Sequence, residues 1–85
     1  MTPSDAEIRA AILDGVHMRG AGKTLCPSEI ARALAQDWRA TMPAIRRVGQ
    51  ALADAGQLAV TQRRQPVNAI HAKGPIRFGL PVTSA

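Results

Sequence analysis

Aromatic residues are scarce in this chain of 85 residues, which has no Tyr, one Phe (Phe78) and one Trp (Trp38). Stacking platforms for splayed-out bases are therefore missing, and this argues against single-stranded RNA as a partner. The single cysteine, Cys26, permits no internal disulfide, and a small unstapled domain fits a reducing cytoplasm. Long apolar runs are absent too. The longest, Ala10-Ala11-Ile12-Leu13, is far short of the ~20 residues of a membrane-spanning helix. Asp5, Glu7, Arg9 and Asp14 stand where an export signal would be apolar, so a cytoplasmic protein without membrane attachment is expected. The length allows one domain, with an ordered core expected over about residues 4–80 and a tail at 81–85. Enzymes that need two cores are excluded.

Acidic residues are missing from the last third of the chain. All six lie within the first 54 residues, beside seven basic ones, whereas Arg63, Arg64, Lys73 and Arg77 follow with no acid among them. The formal net charge is +5, and nine of the eleven basic residues are arginine. A positive field concentrated in one part of a small domain favours an anionic partner, nucleic acid first.

Three helices are legible. Ser4 and Glu7 have the spacing of a capping box, and Ile8, Ala11, Ile12 and Val16 then repeat along one face, with Gly20 and Gly22 ending the helix near residue 19. Thr24-Leu25 has room to form a very short strand. Cys26-Pro27-Ser28-Glu29 starts a second helix, over about 27–36, that buries Ile30, Ala31 and Leu34. Asp37, Trp38 and Arg39 read as the turn after it, with Trp38 a core residue pinning that turn to the C-terminal third of the chain. Pro43 reads as a first-turn proline of a third helix carrying Ile45, Val48 and Leu52, and Gly56 is its left-handed cap.

From residue 57 the period changes to two. Leu58–Gln62 and Pro75–Leu80 alternate like strands, and the irregular basic stretch between them makes a long hairpin loop. Helix-turn-helix followed by a hairpin predicts an α+β winged-helix domain, whose third helix enters a major groove and whose wing touches backbone or minor groove. At 100° per residue, Pro43, Arg46, Arg47, Gln50 and Asp54 fall opposite the apolar face of that helix. Arg46 and Gln50 are then candidate base contacts, arginine against guanine and glutamine against adenine. Arg47, Arg63, Arg64, Lys73, Arg39 and Lys23 are candidate phosphate contacts. The blander account of the helix residues is a solvated face, and that of Arg63-Arg64 is a charge that blocks a sheet edge.

Gly22-Lys23-Thr24, Cys26-Pro27-Ser28-Glu29-Ile30-Ala31, Asp37-Trp38-Arg39, Met42-Pro43-Ala44, Thr61-Gln62 and Gly74-Pro75-Ile76-Arg77 resemble a small bacterial winged-helix family, domain of unknown function 3253. The resemblance covers residues 5 to 80 and implies the winged-helix fold without an activity. Thr41 to Leu58 is also similar to the recognition helices of bacterial winged-helix repressors, which implies a regulator of transcription.

Other chemistry is poorly supported by the residues. Gly20-Ala21-Gly22-Lys23-Thr24 has the end of a phosphate loop, but His17 stands where its first glycine belongs, Leu25-Cys26-Pro27 intervenes where its helix should start, and the chain has no room for a nucleotide-binding sheet. Cys26 sits at a helix N-terminus, where a thiol is activated, but a small, mostly buried side chain in the cap position is the better account. His17, Cys26 and His71 match no zinc spacing, so no metal or other cofactor is expected. No catalytic triad or carboxylate pair stands out, and the protein is expected not to be an enzyme. The expected function is double-stranded DNA binding. The alternative is a protein-interaction winged helix that uses Met42, Ala44 and an exposed Trp38 as an apolar patch.

Overall fold

The computed structural model describes residues 2–81, so the expected tail lies, from residue 82 onward, outside the described residues. Helix α1 spans Asp5–Arg19 and opens on the expected capping box. The Glu7 amide donates to Ser4 Oγ at 3.1 Å, and the Ser4 amide donates to the Glu7 carboxylate at 3.1 Å. Its Ile8, Ile12 and Val16 are buried, and Gly20 ends it at a φ of 92° that a side chain would oppose. Strand β1 is Thr24–Leu25, and α2 is Pro27–Leu34, two residues shorter than expected. The Cys26 amide donates to Glu29 Oε2 at 2.9 Å, so the amide that precedes α2 is satisfied from the helix's third residue.

Helix α3, Trp38–Asp54, starts one turn earlier than the sequence suggests. Trp38 opens the helix instead of lying in a turn, and Pro43 falls inside it. Having no amide hydrogen, Pro43 deprives the Arg39 carbonyl of its usual donor. The buried Thr41 hydroxyl donates to the Asp37 carbonyl at 3.2 Å and helps to hold the added turn. The other end is as expected. Gly56 adopts a φ of 77°, its amide donates to the Ala53 carbonyl, and the Gln57 amide donates to the Leu52 carbonyl. That pair of bonds is a Schellman cap.

The two expected strands pair as an antiparallel hairpin, and the long loop between them holds a further short strand. Strand β2, Ala59–Gln62, turns back at once through Arg63-Arg64 onto β3, Gln65–Pro66. The chain then leaves the sheet over residues 67–76 and returns as β4, Arg77–Gly79, on the other side of β2. The antiparallel order is β1-β4-β2-β3, with Leu25, Phe78 and Val60 in register. Three helices, with β1 between the first two and the other strands after the third, have the α+β order of a winged helix.

The core joins the inner faces of α1, α2 and α3 to Leu25, Val60, Ile76 and Phe78. Helix α3 and the sheet meet at Gly49, where a Cβ would lie 2.5 Å from the ring of the fully buried Phe78. Only hydrogen fits there.

Candidate nucleic-acid interface

Two separate segments carry the residues nominated for DNA contact, and the fold treats them differently. On α3, the face expected to be open is partly covered by the segment 67–76. This segment is shaped locally by Asn68, whose Oδ1 accepts from the Ile70 and His71 amides at 2.8 and 3.1 Å. That turn directs Ala69 inward until it is fully buried.

The half-buried Arg46 then donates to three carbonyls of this segment: Ala69 at 3.1 Å, Ala72 at 2.8 Å and Gly74 at 2.8 Å. Gln50 accepts from the Ala69 amide at 2.7 Å and donates to Asp54 at 2.8 Å. The two nominated base readers are thus engaged within the protein. Their polar groups satisfy a loop that would otherwise bury backbone without partners.

Arg47 is exposed but paired. Its two terminal nitrogens donate to the two carboxylate oxygens of Asp5, each at 2.8 Å. The hydrogen bonds from Arg47, followed by the charge of Arg47, hold the Asp5 carboxyl below its usual value, and the same contacts raise Arg47. Arg39 packs its guanidinium 4.4 Å from the centre of the Trp38 ring, as does Arg32 of α2. Trp38 is half-buried against the core, and these two cations belong to helices, not to the wing. Lys23 precedes β1, across the sheet from the Arg63-Arg64 turn, so it does not join the other nominated cations.

The wing tip is the contrast. Arg63 and Arg64 have φ of 53° and 68°, left-handed values that suit Asn-Gly in a two-residue turn of this kind. Both side chains are exposed, and neither makes a hydrogen bond or ion pair among the described residues. Beside them Gln62 donates from Nε2 to the Lys73 carbonyl at 2.6 Å and the Pro75 carbonyl at 3.1 Å. Gln62 from the sheet and Arg46 from α3 therefore grip the same stretch of backbone. This links α3, Lys73 and the foot of the wing tip into one continuous strip.

Gln62 was not anticipated as a loop-holding residue, because in a strand pattern it reads as an ordinary outward position. Asn68 carried a usable signal, since an asparagine in an irregular stretch favours a local turn. Arg32 carried none, its place beside Trp38 depending on the angle between two helices.

Elsewhere, Arg19 pairs with Glu29 at 3.0 Å. The Cys26 amide, and then Arg19, hold the Glu29 carboxyl below its usual value. Arg77 donates to the Thr24 hydroxyl at 2.9 Å and to the Thr24 carbonyl at 3.2 Å, so it serves the β1–β4 pairing. Cys26 is half-buried with its sulfur 3.1 Å from Ser28 Oγ. Among the described residues, no group of three His, Cys, Asp or Glu side chains converges as a metal site would require, and no helix is long and apolar enough to cross a membrane.

A search of curated proteins finds no match. The profile of one family, described as a protein of unknown function (DUF3253), matches residues 5–81. With nearly the whole sequence covered, the chain belongs to the DUF3253 family.

Proposed function

We propose that the chain is a non-enzymatic, cytoplasmic DNA-binding protein that takes hold of duplex phosphates through its wing, and that a role in transcriptional regulation rests on this binding. The observation that carries the reading is the Arg63-Arg64 turn. A residue other than glycine in the left-handed region costs about 1 kcal/mol, and this turn contains two such residues in succession. Strain retained at an exposed tip points to use of the side chains it displays. Lys73 stands on the same strip, and Arg39 supplies a further exposed cation at the start of α3. Arg46 and Gln50 have their polar groups committed to residues 69–74, so in this reading they position the strip instead of reading bases.

About four phosphate contacts give a slope of roughly −3.5 for log affinity against log salt. Changing both Arg63→Ala and Arg64→Ala should flatten that slope by about 2 and weaken all duplex sequences alike. A gel-shift titration at low salt is the measurement. Absence of duplex binding, or a slope untouched by the double change, defeats the proposal.

A further inference from the structure

Along the outer flank of α3 runs an open groove of about 740 Å³, closed on one side by Ile70 of the segment that Arg46 holds. Its floor is apolar, formed by Met42, Pro43 and Ile70, and Ile70 is 53% exposed despite its size. Arg39, Arg46 and Arg47 stand around it, and no acidic residue lines it.

Shape and charge together select an occupant. A surface that reads a major groove must project, whereas this one is concave, and a phosphodiester chain offers nothing to match Ile70 and Met42. Carboxylate chemistry already occurs at the rim, where Arg47 holds Asp5 in a two-point fork that is open to solvent. Arg46 donates to carbonyls, which leaves its positive charge uncancelled.

We propose that this groove is a docking site for an acidic peptide segment of a partner protein, with one aliphatic side chain seated against Ile70 and Met42 and Asp or Glu side chains on the arginine rim. The site does not depend on what Arg63 and Arg64 bind, and Arg39 is the residue that it shares with the duplex-binding reading.

The test is an amide chemical-shift titration of the full chain with a short synthetic peptide carrying leucines at helical spacing and glutamates between them. A control peptide has lysine for every glutamate. The acidic peptide should shift the amides of Met42, Ala44 and Ile70, and the lysine version should not. Ile70→Asp should weaken binding about tenfold, the loss expected from one unburied aliphatic side chain. Arg39→Glu should also weaken it, while Arg63→Ala with Arg64→Ala should leave it unchanged. Ile70 and Arg39 are both exposed, so the altered chains are expected to fold. No shifts at about 1 mM, equal binding of the lysine peptide, or indifference to Ile70→Asp overturns the proposal. So does a short duplex that shifts the same amides more strongly, because the groove would then belong to the nucleic-acid face.

Discussion

Arg46 and the pair Arg63-Arg64 carry the same side chain under opposite conditions. Arg46 is half-buried on a regular helix and its donors meet three carbonyls. The other two are exposed on a turn whose backbone they strain, and they meet no partner among the described residues. The first arrangement is what folding produces when a charged fork is used to close a loop. The second adds no hydrogen bond or ion pair among the described residues, and the proposed function gives it a partner outside the chain. Sequence position alone does not separate the two kinds. Arg46 looked like the residue facing DNA because it lies opposite an apolar helix face, and the structure covers part of that side, over Arg46 and Gln50, with residues 67–76.

The largest test of this contrast is the loss of Arg46. Arg46→Ala removes three hydrogen bonds from a charged donor and should lower stability by about 2–3 kcal/mol. Amide exchange over residues 69–76 should accelerate ahead of the rest. Urea titration of Arg46→Ala beside Arg63→Ala and Arg64→Ala reads the difference, and the wing variants should stay within about 0.5 kcal/mol of the parent. Equal losses at all three positions would erase the distinction.

A smaller effect of opposite sign sharpens it. Changing Arg63→Asn together with Arg64→Gly places favoured residues at both left-handed positions and should raise stability by about 1 kcal/mol. The same protein should bind duplex DNA more weakly. A gain in thermal midpoint with unchanged binding would show that the strain serves no ligand.

The smallest effect concerns acid. Glu7 and Glu29 are held below their usual values chiefly by the amides of Ser4 and Cys26, so their folded forms bind protons less readily than the unfolded chain. Their contribution is therefore complete above the ordinary carboxylate range and disappears as pH falls through their depressed folded values. Glu29→Gln should flatten the fall in stability below about pH 4.5, measured by urea midpoints across pH, without altering the wing.

The helices were legible wherever a local signal fixes an end. Ser4 with Glu7 and Gly56 after Asp54 marked their boundaries because those groups complete the helix's own unpaired amides and carbonyls. The start of α3 was misread because Pro43 looks like a first-turn residue. The extra turn depends on Thr41 reaching Asp37 and on Trp38 packing, neither of which is a spacing rule. Strand β3 was missed for a similar reason. A two-residue turn is announced by glycine or asparagine, and here two arginines occupy it. The role of Arg46 was beyond local reading altogether, since its three partners lie 23, 26 and 28 residues away.

The sheet's two borders have a consequence for the molecule in concentrated solution. Both outermost strands are only two residues long; one is followed by Cys26-Pro27 and the other contains Pro66. Neither offers a neighbouring copy the run of free amides that strand-by-strand zipping into a filament requires. A basic wing tip of this kind can thus be displayed at the rim of an open sheet without the rim itself becoming adhesive.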